Sequence, residues 1–264
     1  MKQQELPTLT ANTSDHYVVL APKCEPRFMT VQEVMRSFGV PAQSSLWKAL
    51  IREGLLTAPQ AVSCLGRSVN VSVARQVVAT LIQSGALAPG LSYGSAFSGV
   101  DKFAAAVEAK TGGEFVYVFA SEGDEVPRKG LLHAWRGRGL TIASCFQDAR
   151  SEEAANAPPV DLYMTSPECT AHSRMNHGRN GKDQRSTLED FWHSLAYVRA
   201  QRPAVVVVEN VAEASSVGPM TGLLGRLAGY SMATAMLDPR AVAGMPVARE
   251  RQYWVLQLVV GGRN

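Results

Sequence analysis

From residue 91 onwards, short apolar runs alternate with amphipathic helical segments, and this alternation restricts the fold more than any other feature. The runs that predict strands are Tyr93–Phe97, Phe115–Ala120, Thr141–Phe146, Val160–Thr165 and Ala204–Val208. The segments that predict helices between them are Asp101–Lys110, Asp124–Trp135 and Leu188–Arg199. Such alternation is typical of a doubly wound α/β domain with a mainly parallel sheet. A closing pair of strands is predicted at Ser231–Leu237 and Gln252–Val260.

The part of the chain before this alternation has a helical pattern. Thr30 stands at the N-cap position of a helix over Val31–Phe38, and Glu33 completes the spacing of a capping box. Further amphipathic helices are predicted at Ser45–Glu53 and Val71–Gln83. We therefore expect a poorly ordered lead-in at 1–26, a helical segment at 27–90 and an α/β core at 91–264, with the last two packed as one compact domain.

The composition is that of an ordinary globular protein. Of the 264 residues, 46% are hydrophobic and 19% are charged, and no apolar run approaches the ~20 residues of a membrane span. The cysteines, which follow no metal-ligand spacing, are Cys24, Cys64, Cys145 and Cys169. In a chain of this size they do not form a disulfide framework, so we expect a reducing cytoplasm. No signal-peptide pattern opens the chain, and we expect neither a membrane nor a metal partner. The formal net charge of +3 is a weak indication of a polyanionic partner.

Ligands of doubly wound sheets bind at the carboxyl ends of the strands, where three predicted loops carry suitable residues. Phe97-Ser98-Gly99 forms the first strand–helix turn, in which a small residue lets a ligand approach the backbone. Glu122 follows the second strand and can bind ribose hydroxyls, while Asp148 follows the third and can accept a hydrogen bond from an exocyclic amine. Each feature also has an ordinary explanation: the first segment can be a simple turn, Glu122 a solvated acid and Asp148 a helix cap for Ala149–Ala155. Together they favour a nucleoside-bearing cofactor.

A thiol and a carboxyl group follow the fourth and fifth strands. Cys169 lies just past Pro167 in a polar loop near His172 and Arg174, which favours a thiolate nucleophile over a buried structural thiol. Glu209 ends a run of four valines, where desolvation favours a protonated carboxyl that can donate a hydrogen bond. A thiol that attacks a ring and a carboxyl that polarises it suit chemistry on a pyrimidine.

Basic residues cluster in two further segments. The first segment, His172–Arg185, is either a solvated surface loop or a lid that closes on nucleic-acid phosphates. Its glycines favour the lid. The basic residues of this segment are Arg174, His177, Arg179, Lys182 and Arg185. The second contains Arg249 and Arg251, which would face the same side of an extended segment. A charged sheet edge is the alternative for this pair.

Taken in order, these segments resemble the motifs of the cytosine-5 DNA methyltransferases. The first cofactor motif is similar to Phe97-Ser98-Gly99, and its ribose and adenine acids match Glu122 and Asp148. The nucleophile motif resembles Pro167-Glu168-Cys169, and the Glu-Asn-Val signature resembles Glu209-Asn210-Val211. The end of the catalytic loop and the arginine segment resemble Arg185–Leu188 and Gly244–Arg251. The resemblance implies the Rossmann-like sheet of class I S-adenosylmethionine-dependent methyltransferases.

The family's two remaining motifs normally lie at the C-terminal end, but here they resemble segments near the start. These segments are Arg27–Glu33 with Phe38–Pro41, and Leu65–Asn70. The chain therefore resembles a circularly permuted member whose N-terminal helical segment completes the domain. The spare block Ala42–Ser63 is too small for a standard target-recognition domain, which implies short or relaxed sequence specificity or a separate recognition subunit.

The resemblance implies transfer of a methyl group from S-adenosylmethionine to carbon 5 of cytosine in double-stranded DNA, on a base flipped out of the stack. Cys169 would add to carbon 6, Glu209 would bind the N3 edge, and Arg251 with Arg249 would hold the O2 carbonyl. The cofactor residues that it implies are Phe97, Gly99, Glu122, Asp148, Pro167, Leu188 and Ser68.

Departures from the motifs leave alternatives open. Asp101 replaces the second glycine of the first motif, Glu168 directly precedes the nucleophile, and Arg67 replaces an asparagine expected near the cofactor. An RNA cytosine-5 methyltransferase of the same fold is one alternative, and a non-catalytic subunit that binds nucleic acid or cofactor is another. The sequence leaves the biological role open between restriction–modification, phage defence and regulation.

Overall fold

The computed structural model describes residues 18–19, 27–67, 69–167, 181–212 and 220–259, and of 18–19 and 181–188 it describes the backbone only. A seven-stranded sheet with strand order β5-β4-β3-β6-β7-β9-β8 forms its centre. In chain order the strands are β1 Val18–Val19, β2 Arg27–Phe28, β3 Leu91–Ala96, β4 Phe115–Ser121, β5 Cys145–Phe146, β6 Leu162–Thr165, β7 Val205–Val211, β8 Tyr230–Leu237 and β9 Arg251–Leu258. The short β1 and β2 pair only with each other.

The prediction of a doubly wound, mainly parallel sheet is confirmed. The pairs from β5 to β7 are all parallel, and only β9 runs antiparallel to its neighbours β7 and β8. From β3 the chain moves outward through β4 to β5 and then returns to β6 on the other side of β3. The strand order therefore reverses between β3 and β6, where doubly wound sheets bind their ligands.

The valine run of β7 shows why this strand lies inside the sheet. Val205 and Val207 belong to the hydrophobic cluster on one face of the sheet, and Val206 and Val208 belong to the cluster on the other face. Successive side chains of a strand point to opposite faces, so a continuous apolar run is stable only where both faces are covered.

Helices cover both faces. In chain order they are α1 Val31–Ser37, α2 Ser45–Trp47, a π-helix at Lys48–Arg52, α3 Ala58–Gly66, α4 Val71–Gln83, α5 Lys102–Thr111, α6 Glu125–Trp135, a 3₁₀ turn at Arg136–Arg138, α7 Glu152–Ala155, α8 Gly181–Gln201, α9 Met220–Leu224 and α10 Pro239–Ala243. Within the described part of the chain, none of these helices is long and apolar enough to cross a membrane.

The N-terminal helices pack against the sheet domain through both apolar and polar contacts. Buried residues of α1, α3 and α4 share one hydrophobic cluster with β3, β4 and α5. The backbone N–H and hydroxyl of Ser45 donate to the Glu108 carboxylate on α5, at 2.8 and 2.5 Å. The predicted capping box of α1 is confirmed, because Thr30 and Glu33 bond to each other's backbone N–H groups.

Four sequence predictions need correction. The third strand begins at Cys145 rather than at Thr141, because the side chains of Thr141 and Ser144 bond to each other's backbone N–H groups and form a turn. The fifth strand continues through Val211, because β9 pairs with β7 along that length. The helix predicted at Ser45–Glu53 is split by the π-helix. A helix that was not predicted, α3, begins at Ala58 near the end of the spare block and continues to Gly66.

Candidate active site at the carboxyl edge of the sheet

The strand register brings the predicted site segments to one edge of the sheet. Ala96, at the end of β3, lies opposite Ser121 of β4 and Thr165 of β6. On the outer sides, Ser121 lies opposite Phe146 and Thr165 lies opposite Val208. The residues that follow these positions therefore lie along one edge of the sheet, at the reversal of strand order, as the sequence predicts.

The loop between β3 and α5 adopts an uncommon backbone conformation. Phe97, Gly99 and Asp101 have φ angles of 54°, 58° and 50°, in the left-handed region that favours glycine. The two side-chain-bearing residues each cost on the order of 1–3 kcal/mol in this region. The N–H and hydroxyl of Ser98 both donate to the Ser121 carbonyl, at 3.0 and 3.1 Å, and so help to fix the loop to β4.

Asp101 is stabilised by a buried hydrogen-bond network. The hydroxyls of Tyr93, Ser95 and Tyr117 all donate to its carboxyl, and so does the Ala104 N–H at 2.8 Å, which caps α5. Burial raises the pKa of Asp101, although these hydrogen bonds oppose that shift. Burial and the neighbouring carboxyl raise the pKa of both tyrosines well above their ordinary value, so both remain donors.

Glu122 lies directly beside this loop. Its carboxyl oxygens accept hydrogen bonds from the Gly99 N–H at 2.6 Å and the Asp124 N–H at 2.9 Å. Burial raises the pKa of Glu122, although these hydrogen bonds oppose that shift. Each carboxylate oxygen can accept a second hydrogen bond. A Cβ built on Gly99 would meet no heavy atom within 4 Å, so the space in front of that glycine is open. An acid with spare acceptor capacity next to open space fits a ribose.

Asp148 is exposed and bonds to its own loop. Its Oδ1 accepts hydrogen bonds from the Arg150 N–H at 2.8 Å and from Arg150 Nε at 3.0 Å. These hydrogen bonds lower the pKa of Asp148. The alternative prediction that Asp148 caps the next helix is wrong, because Ser151 caps α7 through the Ala154 N–H.

On the other half of the edge, Glu209 is buried in a charged cluster. Its Oε1 lies 3.2 Å from Arg251 Nε, and its Oε2 accepts a hydrogen bond from the Ser166 hydroxyl at 2.5 Å. Glu209 is only 4% exposed. Sequence reasoning missed Ser166, although its position directly after β6 is a usable signal.

The neighbouring Asn210 positions the start of the segment that follows β6. Its Nδ2 donates to the carbonyl of the buried Pro167 at 3.3 Å, and its Oδ1 accepts from the Val211 N–H at 2.8 Å. The side chain therefore holds β7 to the segment that leads to Cys169. Asn210 lies within β7.

Arg249 is the second predicted arginine and has different neighbours. It is buried, and its Cζ lies 5.6 Å from the centroid of the Phe38 ring. The Nζ of Lys102 lies 3.4 Å from the centroid of the same ring. Lys102 is the second functional candidate that sequence reasoning missed.

The remaining predicted site residues are described only in part. Lys182, Arg185 and Leu188 lie in α8, whose first residues are described by their backbone alone. Those that lie outside the described residues are Ser68, Cys169, Arg174, His177 and Arg179. Among the residues that the structure describes, no three His, Cys, Asp or Glu side chains are grouped to hold a metal ion.

Parts of the chain are similar to several solved structures. The chain matches the structure of PH0851 with a TM-score of 0.50 and 11% identity, over 71% of this chain and 45% of that one. It matches TrmN from Thermus thermophilus with a TM-score of 0.47 and 18% identity, over 81% and 52% of the two chains. It matches the S. pombe Dnmt2 methyltransferase with a TM-score of 0.47 and 16% identity, over 66% of this chain and 51% of that one. The chain thus spans about half the length of these structures.

The family comparison is more specific than these structural similarities. No curated protein matches the chain. A model of the C-5 cytosine-specific DNA methylase family matches residues 91–258, which is more than half of the chain and includes every strand of the large sheet. The chain therefore belongs to the C-5 cytosine-specific DNA methylase family, whose cofactor is S-adenosylmethionine.

Proposed function

We propose that this chain transfers a methyl group to carbon 5 of cytosine in DNA, through a covalent adduct between Cys169 and a flipped base. One observation supports this most directly: the Ser166–Glu209–Arg251 cluster lies beside Pro167, two residues before Cys169. A buried carboxyl and a guanidinium at that point can bind the polar edge of a pyrimidine. The thiol of the following loop can then attack the ring.

In the first step the Cys169 thiolate forms a bond to carbon 6, and the π-electron pair of the C5–C6 double bond moves to carbon 5 and towards N3. In the complex with the flipped base, the Glu209 carboxyl takes up a proton and donates a hydrogen bond to N3, and Arg251, released from its ion pair with Glu209, donates to O2, as does Arg249. These donors stabilise the negative charge where it develops on the ring. Once carbon 5 carries the methyl group, its proton leaves to water, the double bond re-forms and the thiolate is expelled.

In this proposal the cofactor binds at the carboxyl ends of β3 and β4. When bound, S-adenosylmethionine supplies an electrophilic methyl group on its sulfonium sulfur. Glu122 accepts hydrogen bonds from the ribose hydroxyls, and Asp148 accepts one from the adenine amine. The other residues that we propose to contact the cofactor are Phe97, Gly99, Pro167, Leu188 and Ser68.

The substrate is double-stranded DNA with short or relaxed sequence specificity. We assign phosphate contacts to the basic segment around α8; its members are Arg174, His177, Arg179, Lys182 and Arg185. The N-terminal helices complete the domain as the permuted C-terminal motifs, and the contacts of Phe38 and Leu65 with Lys102 support this assignment. A separate recognition subunit would supply any longer specificity.

Methylation of matched DNA and RNA substrates tests this function. Wild-type protein, radiolabelled cofactor and a random-sequence duplex should yield 5-methylcytosine in DNA, and bisulfite sequencing should locate it in a short sequence context. Methylation of the RNA alone would replace the proposal with an RNA cytosine-5 methyltransferase. Binding of cofactor and nucleic acid without methylation of either would indicate a non-catalytic subunit.

Cys169→Ala is the decisive variant. It should abolish methyl transfer, because the ring is not activated without the thiolate, and it should leave cofactor binding close to the wild-type value. Isothermal titration calorimetry measures the binding, and the radiolabel assay measures the transfer. Cys145→Ala, at a second cysteine that is buried in β5, is the matched control and should retain activity. Full activity of Cys169→Ala would contradict the mechanism.

A further inference from the structure

Lys102, the first residue of α5, is completely buried. Its Nζ donates a hydrogen bond to the Leu65 carbonyl on α3 at 2.5 Å. The same Nζ lies over the Phe38 ring, 3.4 Å from its centroid. Both partners belong to the N-terminal helical segment, so this one side chain joins that segment to the catalytic domain.

A buried ammonium in such surroundings is energetically unfavourable. None of the carboxylates in the described part of the chain forms an ion pair with Lys102. Burial lowers the pKa of Lys102 well below its ordinary value; the nearby Arg249 lowers it further, and Glu209 raises it. Removing an ion from water costs several kcal/mol even after the protein relaxes, and replacing it with an apolar side chain of similar size is often neutral or stabilising. Stability therefore does not explain why a lysine occupies this position.

The Phe38 ring connects Lys102 to the proposed base-binding residues. The ring is fully buried, and the guanidinium carbon of Arg249 lies 5.6 Å from its centroid. A cation on the face of an aromatic ring is attracted to it most strongly where water is excluded. Lys102 and Phe38 therefore restrict where the Arg249 side chain can lie, two residues before the arginine that pairs with Glu209.

We infer that Lys102 is a positioning residue for the target base: its Nζ, held by the Leu65 carbonyl, fixes the Phe38 ring, and the ring fixes Arg249 at the base-binding edge. This inference rests on the proposed function. Lys102 itself touches neither substrate nor cofactor, so its removal should affect the transfer step and leave binding of S-adenosylmethionine nearly unchanged.

The first test is Lys102→Met, which keeps the approximate length of the side chain and removes the Nζ group that binds the Leu65 carbonyl and lies over the Phe38 ring. We expect the single-turnover rate of DNA methylation to fall roughly 10- to 100-fold, the order of effect that a small misplacement at an active site produces. The midpoint of thermal unfolding should stay the same or rise. Lys110→Met, on the same helix but away from the edge, is the control and should keep the wild-type rate.

The second test measures the same rate for Phe38→Leu and for the double variant with Lys102→Met. If Lys102→Met does not fold, the single variant Phe38→Leu still tests the inference. If the two residues act through one contact, the double variant should lose about as much rate as the larger single loss. The inference would be overturned if Lys102→Met kept the wild-type rate, or if the losses of the two single variants multiplied in the double variant. It would also be overturned if the rate loss of Lys102→Met only followed a lower midpoint of thermal unfolding. Failure of the wild-type chain to methylate either nucleic acid would instead refute the proposed function.

Discussion

The two halves of the carboxyl edge are held together by different interactions. On the β3–β4 half, hydroxyl groups converge on the single carboxyl of Asp101, and they come from Tyr93, Ser95 and Tyr117. On the β6–β7–β9 half, Glu209 and Arg251 form a buried ion pair, to which one hydroxyl is added. The first half fixes a backbone loop, whereas the second presents charged side chains.

This difference matches the tasks that we assign to the two halves. A satisfied hydrogen-bond network in a region of low dielectric makes its surroundings rigid, which suits a loop that binds a cofactor. Charged groups excluded from water act strongly on charge that develops nearby, which suits a site where a ring becomes anionic. Substitutions in the two halves should therefore separate binding from turnover, and the following predictions test that separation.

The largest effect is expected for Glu209→Gln, in the charged half. Loss of the acid that donates to N3 should lower the turnover number by about 100-fold or more, the usual effect of removing one charge-stabilising donor. The affinity for S-adenosylmethionine, measured by calorimetry, should stay near the wild-type value. A loss of cofactor affinity as large as the loss of turnover would show that the two halves are not separate.

A smaller effect of the opposite kind is expected for Asp101→Asn, in the cofactor half. The amide group accepts fewer hydrogen bonds and leaves a buried hydroxyl without its partner, at a cost of about 1–3 kcal/mol. Part of that loss should appear as a cofactor affinity about tenfold weaker, with little change of turnover at saturating cofactor. Tyr117→Phe removes a single donor of the network and should weaken binding less. Unchanged affinity in both variants would show that the network does not hold the cofactor loop.

The smallest effect is a pH dependence at Glu122. Burial raises the pKa of Glu122 above its ordinary value of 4.5, so its contribution to the free energy of unfolding is present at acid pH. That contribution is lost as the pH rises through the folded-state pKa. The stability of wild type relative to Glu122→Gln should therefore decrease over this range, as urea titrations of the cofactor-free protein would measure. Cofactor affinity should increase over the same range, because the carboxylate is the better acceptor. Parallel stability curves for the two proteins would contradict the assignment.

The sheet could be predicted from the sequence because its strands are apolar runs of strand length. The valines of β7 alternate between two buried faces, and only the inside of a parallel sheet offers both. The third strand was predicted too long, because side-chain hydrogen bonds between Thr141 and Ser144 compete with strand pairing. Local composition does not reveal that competition.

The site could be predicted only where a residue follows an apolar run. Glu122 follows the run of β4 and Glu209 follows the four valines of β7, and the structure places both at the same edge. Asp101 lies where the family motif has its second glycine, and Lys102 follows it directly; their contacts come from residues distant in the chain, such as Leu65 and Tyr117. Spacing along one sequence cannot reveal such contacts, whereas an unusual residue in a glycine position is a signal for them.

Covalent capture of a modified base tests the central claim most directly. Fluorine at carbon 5 cannot leave as the proton does, so an adduct between the nucleophile and a 5-fluorocytosine duplex should persist after methyl transfer. We predict a denaturation-resistant complex of chain and DNA that forms with wild-type protein, requires S-adenosylmethionine, and joins Cys169 to the ring in peptide mass spectrometry. Methylation of ordinary cytosine without any adduct, or an equal yield of adduct with Cys169→Ala, would contradict the account.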